Sequence, residues 1–181
     1  MEPVLFADTA AFEAWLSSYH GESSDVWILV GKKGSGVASL SVEEALDVAL
    51  CFGWIDGQRK GFDDRHFLQR YVPRRPRSSW SQVNVAKVEA LTAAGRMRPA
   101  GLAEVAKAQA DGRWAAAYPS QRTATVPPDL AEALAGSGRA RAAFDALAAT
   151  ERYLLILNLH KLRTATGRAA RVKATDDQLR A

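Results

Sequence analysis

LCFGWIDGQRKGFDDRHFLQRYVPRRPRSSW, residues 50–80, decides how the rest of the chain is read. It opens as the apolar end of a helix, and Gly53 supplies the stop. Residues 54–62 and 66–72 are two short runs rich in aromatic and β-branched residues on either side of Asp63-Asp64-Arg65, which is turn chemistry, so together they predict an antiparallel hairpin. Pro73 and Pro76 end it, because proline has no N–H to give a strand ladder. On the second strand, Phe67, Gln69 and Tyr71 share one face and Leu68, Arg70 and Val72 the other, so at least one of two partly apolar faces must be core.

Working outward gives an α+β fold: a small antiparallel β-sheet packed with helices, with a helical C-terminal part. Asp8 or Thr9 caps a first helix whose Phe12, Trp15, Leu16 and Tyr19 recur at helical spacing. VWILV at 26–30 reads as a buried strand, followed by the loop GKKGSG. Ser41-Val-Glu-Glu44 has capping-box spacing and opens a helix that buries Val42, Ala45, Leu46, Ala49 and Leu50. Ser79-Trp-Ser-Gln82 has the same spacing ahead of Val83, Val88 and Leu91. Further helices are expected near 99–110, 128–135, 138–149 and 150–164, divided by glycine and proline. At 181 residues the simplest organisation is a single domain, 1–181, with 1–95 mixed and 96–166 mostly helical. Residues 167–181 are polar enough to fray.

Composition bounds the function classes. No apolar run approaches the roughly 20 residues needed to span a bilayer, and the acidic start lacks a signal-peptide pattern, so a cytoplasmic location without membrane insertion is expected. One cysteine, Cys51, and three scattered histidines assemble neither a zinc cage nor a redox pair, so no metal or cofactor is expected. The net charge of +4 hides an asymmetry. Residues 1–56 carry two Lys/Arg against nine Asp/Glu, whereas 57–113 carry twelve against five. Such a basic middle suits an anionic ligand, or neutralises the acidic lobe within one domain.

The candidate site follows from that charge. A helix capped by Ser79 would present first-turn N–H groups and the positive end of its dipole. Arg74, Arg75 and Arg77 lie just upstream, and one or two of them could fold back as planar forks suited to carboxylate or phosphate oxygens, Arg74 and Arg75 being the ones chosen for the site. Trp54, Asp56 and Trp80 would help shape a ligand-binding pocket, although the tryptophans equally suit core packing and Asp56 a turn or an arginine pair. Cys51, at the apolar end of a helix with no local His or Lys, reads as an inert thiol. His66 and His160 have no Ser or Cys partner at a local spacing, and Lys32-Lys33-Gly matches no phosphate-loop pattern, so whether the protein is an enzyme stays open.

Three stretches carry a family resemblance: EEALDVALCFGWIDG at 43–57, RYVPRRPRSSWSQVN at 70–84 and GRMRPAGLAEVAKAQADGRW at 95–114. In this order they resemble the YdeI/OmpD-associated family of small bacterial proteins, over residues 5–150. The resemblance implies a bacteriocin- or cationic-peptide-protection role in a stress response, a link to an outer-membrane porin, and no established reaction. HKLRTATGRAARV at 160–172 departs from the family's C-terminal signature in lacking a Glu and in the spacing of Thr166, Arg168 and Arg171, so the resemblance is not extended there.

Two other partner classes are open. Arg59, Lys60, Arg65 and Arg70 interleave with Phe62, Phe67 and Tyr71, which on a hairpin could make a basic, aromatic surface for nucleic acid. The helix near 150–164 carries Tyr153, Leu154, Leu155, Ile156, Leu157, Leu159 and Leu162 and is apolar nearly all round. It must be buried, either in the core or in a homodimer interface.

Overall fold

A computed structural model describes residues 2–181. The chain divides into two compact units: the chain up to Ser78 together with Asn84–Ala115, and Ser79–Val83 together with Ala116–Ala181.

The first unit runs β1 (Val4–Leu5), α1 (Thr9–Tyr19), β2 (Val26–Gly31), α2 (Val42–Cys51), β3 (Trp54–Gly61), β4 (His66–Pro73), most of α3 (Gln82–Ala93) and α4 (Pro99–Ala110). The sheet order is β1-β2-β4-β3. The expected hairpin is present, with Trp54 opposite Pro73 and Gly61 opposite Phe67. β4 also pairs antiparallel with β2, from Val26 opposite Tyr71 to Gly31 opposite His66. β1, too short to show an alternation in the sequence, adds one parallel pair to this antiparallel set.

Register selects the core face. Val26, Ile28 and Val30 are buried and stand opposite Tyr71, Gln69 and Phe67, so of the two candidate faces it is Phe67-Gln69-Tyr71 that looks inward. Buried polar Gln69 is accounted for by an irregularity in β3 between Asp56 and Arg59. Its Nε2 donates to Gly57 O at 3.1 Å, and its Oε1 accepts from Arg59 Nε at 3.0 Å, so the side chain serves backbone that the ladder no longer pairs. Tyr71 lies against Phe12 of α1, ring centroids 5.6 Å apart, and its hydroxyl donates to Val42 O of α2 at 3.1 Å. Burial raises its phenol pKa, and the carboxylate of Asp56 raises it further.

The caps read from the sequence hold these helices. Asp8 Oδ1 accepts from Ala11 N at 2.9 Å, and Ser41 and Glu44 form a complete capping box on α2. The end of α2 meets the start of α4: Cys51 O accepts from Arg98 N at 3.0 Å, which satisfies a carbonyl that a helix end leaves over. Cys51 is buried and its thiol pKa is raised by that burial, so it is inert.

The second unit holds α5 (Pro128–Ala135), α6 (Gly138–Ala146), α7 (Ala149–His160) and α8 (Ala165–Arg180), around a core of Leu130, Leu134, Ala140, Phe144, Leu159 and Val172. Two expectations are corrected here. Residues 167–181 do not fray but lie almost wholly in α8, which buries Val172, Thr175 and Asp176 and is capped by Thr164. And α7 is not enclosed: Ile156 and Leu159 are buried, while Leu154 is 49 % exposed.

Arg168 of α8 grips Asp129 of α5 with both prongs, Nε at 2.5 Å and Nη2 at 2.9 Å, and gives Nη1 to Leu159 O. That hydrogen bonding depresses the Asp129 carboxyl pKa, and burial, followed by the charge of Arg168, depresses the His160 imidazole. Both folded values lie below their ordinary ones, so both groups contribute stability above those values and lose it as pH falls through the folded ones. Urea denaturation of the full chain should therefore weaken first below about pH 6.5, through His160, and again below about pH 3.8, through Asp129. His160→Gln should flatten the first decline and leave the second. A flat profile between pH 7 and 5 in the parent protein would contradict the assignment.

Candidate functional site

After Pro73 the backbone N–H of Arg74 donates to Gly53 O at 3.0 Å, which ties the exit of β4 to the turn before β3. Arg75-Pro76-Arg77-Ser78 then makes a tight turn closed by Ser78 N to Arg75 O at 3.0 Å. Proline presets the first corner, and the second needs a positive φ, usually from glycine. Here Arg77 occupies it at φ 66°, the one non-glycine residue with positive φ among the described residues. That geometry costs an L-residue about 1–2 kcal/mol.

A second loop meets this turn from the end of α4. Gly112, at φ 78°, reverses the chain, and Arg113 folds back so that its Nε lies 2.7 Å from Asp111 Oδ2 and its Nη1 donates to Ser78 O at 3.0 Å. Arg113 and Arg74 are each only 7 % exposed. With Pro76, Arg77, Glu104, Lys107 and Asp111 they line a cavity of about 230 Å³. Lys107 Nζ pairs with Glu104 Oε1 at 2.7 Å. Four cations thus face two carboxylates; Arg74 and Arg113 are withdrawn from water, while Arg77 and Lys107 are exposed.

Of the six residues picked from the sequence, Arg74 alone lines this cavity. Trp54 is 1 % exposed, meets Trp15 edge to face at 5.9 Å, and donates Nε1 to His20 O at 3.3 Å, the packing alternative noted for it. Asp56 is exposed on the edge strand β3, and Arg75 is exposed in the turn. Ser79 and Trp80 belong to the strip that groups with the second unit, Ser79 exposed and Trp80 buried.

The helix start differs from the expected one. α3 begins at Gln82, so Ser79 stands too far upstream to be its cap. Ser81 instead bridges to Tyr118, and Gln82 N donates to Tyr118 O at 2.9 Å. A first-turn donor expected to face an anion is therefore already used.

Lys107, Asp111 and Arg113 escaped the sequence reading, and only Asp111-Gly112, a turn signal, marks that loop locally. Elsewhere, a hollow of about 490 Å³ beside α3 and α4 is lined mainly by apolar residues, and one of about 550 Å³ beside α5 and α8 is lined by apolar and charged residues equally, with Arg168 there engaged by Asp129. On the hairpin, Arg59 lies 4.7 Å over Phe67 and Lys60 4.8 Å over Trp27, so ring faces on which a base would stack carry the protein's own cations.

Fold and cavity define a small α+β protein with a partly open, positively charged hollow and no helix among the described residues long and apolar enough to cross a membrane. The chain belongs to the family described as a domain of unknown function (DUF8412), whose model matches residues 4–104. A second family model, Bacteriocin-protection, YdeI or OmpD-Associated, matches residues 123–181. The resemblance seen in the sequence is thus supported, but by the C-terminal helices, including the very segment to which it was not extended. No curated protein and no solved structure matches the chain.

Proposed function

We propose that the protein binds a small anion in the Arg74–Arg113 cavity and serves in protection against antimicrobial peptides, the role that the description of the C-terminal family suggests. The observation that carries the binding is the burial of Arg74 and Arg113 in one cavity whose lining has more cations than carboxylates. Guanidinium forks are suited to the oxygens of carboxylates and phosphates, and a lining with more cations than carboxylates favours an anion over a neutral ligand. The ligand site moves accordingly, from the helix start at Ser79 to the loops after β4 and α4, with Arg74 common to both. No catalytic step is assigned to it.

Thermal unfolding of the full chain with inorganic phosphate, ionic strength held constant with chloride, tests this. At ten times the dissociation constant a ligand adds about 1.4 kcal/mol, which for a chain of this size is a rise of about 3–6 °C. Lys107→Met, at a side chain 65 % exposed and so tolerant of change, should reduce the rise. If phosphate does no more than chloride, or if neither Lys107→Met nor Arg113→Met alters its effect, the proposal fails.

A further inference from the structure

Another hollow, of about 270 Å³, lies wholly within the second unit, where the loop after Pro119 meets α6 and α7. Phe144 and Ile156, both buried, and Val126 and Tyr153 supply its apolar wall. The Tyr153 ring is held in place, because its hydroxyl donates to Pro119 O at 3.1 Å. A cavity of about 150 Å³ takes up a benzene ring, so a ring or a branched chain has room here. Covering Val126, which is 38 % exposed, would also remove apolar surface from water.

Four polar side chains reach this wall, and three of them are engaged within the protein. Gln121 gives its amide N–H to Thr150 Oγ1 at 3.3 Å, Tyr153 is tied to Pro119, and Asp145 accepts from Arg141 Nε at 2.9 Å. Arg152 is different: half-buried, it makes no side-chain hydrogen bond or ion pair with any described residue. Its guanidinium is therefore available to a ligand, and a planar fork beside apolar surface suits a carboxylate carried on an apolar body. Arg152 closes the first turn of α7, whose N-cap, Ala148, has no side-chain acceptor. A cation gains nothing from that end of a helix, whereas an anion does. Glu151, in the same turn, accepts from Ala148 N at 2.9 Å and does not line the hollow.

We infer that this hollow binds a small amphipathic carboxylate, with its apolar body against Phe144, Tyr153 and Ile156 and its carboxylate on Arg152. The site shares no residue with the Arg74–Arg113 cavity. It also asks for something that phosphate lacks, an apolar body joined to the charge.

Titration calorimetry on the full chain at constant ionic strength, with 3-phenylpropionate, 3-phenylpropionamide and propionate, tests this. The phenyl carboxylate should bind about tenfold more tightly than the amide of the same shape, the worth of one charge-assisted contact. Propionate keeps the charge but drops the ring, and it should also bind about tenfold more weakly, or less. Arg152→Met removes no internal partner and should melt as the parent does. In it 3-phenylpropionate should fall to the affinity of the amide, while the amide itself binds as before. Arg152→Lys, charged but without the fork, should recover part of the difference. Four results would each overturn the inference: no binding of 3-phenylpropionate, equal binding of the acid and either comparison compound, a preference that survives Arg152→Met, or one that Lys107→Met removes instead. The last would put the carboxylate in the Arg74–Arg113 cavity, and none of the four bears on whether phosphate binds there.

Discussion

Trp54→Ala should cost about 3–5 kcal/mol of folding stability, the range for deleting a large aromatic side chain from a core. The indole is 1 % exposed, packs edge to face on Trp15, and satisfies its only donor on His20 O. Alanine would leave a void among rigid neighbours, because the end of α1 is held by His20 N to Leu16 O and the turn before β3 by Arg74 N to Gly53 O. Trp54→Phe should cost less, about 1–2 kcal/mol, since most of the ring contact is kept and only the hydrogen bond and part of the area are lost. The pair also decides between two roles for this tryptophan. As a packing residue it should change the urea midpoint of the full chain and leave the anion affinity of the folded fraction as it was. A Trp54→Phe protein that melts like the parent but binds phosphate more weakly would return Trp54 to the ligand site.

What the sequence told, and where it stopped, follows the range of the interactions. Asp8, Ser41 with Glu44, the Asp63-Asp64-Arg65 turn and the stop at Gly53 act over a few residues, and each holds its predicted element in the structure. Alternation in β4 limited the core face to two choices, and only the register against β2 decided between them. α8 was missed because ATGRAARVKATDDQLR buries few apolar residues. Its helix is supported instead by the Thr164 cap and by Lys173–Asp177 and Asp176–Arg180 pairs one turn apart, which no hydrophobic period reveals. Ser79 misled because the capping spacing to Gln82 is a local signal, whereas the pairing of Ser81 with Tyr118 that delays the helix is not. The cavity was half legible for the same reason. Arg74 and Arg77 stand in the proline-punctuated run that drew attention first, but Arg113 reaches Ser78 O from beyond α4, and nothing near either residue announces the meeting.

Gly101→Ala should be among the most damaging single-methyl changes available to this chain, costing about 3 kcal/mol, at the upper end for overpacking. A Cβ on Gly101 would stand 2.2 Å from Cys51 O and 2.9 Å from Leu50 O. Both are carbonyls at the end of α2, and Cys51 O already receives Arg98 N, so neither can swing away without breaking a helix-end contact. α4 would have to retreat as a body. The same interface admits Gly53, where a Cβ would lie 3.0 Å from Glu104 Cγ and 3.1 Å from Ala100 O, so the approach of α4 depends on missing side chains from both partners. Because Glu104, Lys107, Asp111 and Arg113 all follow from the placement of α4, the retreat should also open the cavity. Gly101→Ala should therefore lower the melting temperature by roughly 6–12 °C and weaken phosphate binding although it touches no lining residue. Leu102→Ala, beside it at a position 44 % exposed, should do neither. A Gly101→Ala protein with parental stability would show that α4 does not pack on α2 as closely as its carbonyls require, while one that is destabilised yet binds phosphate with parental affinity would detach the cavity from α4.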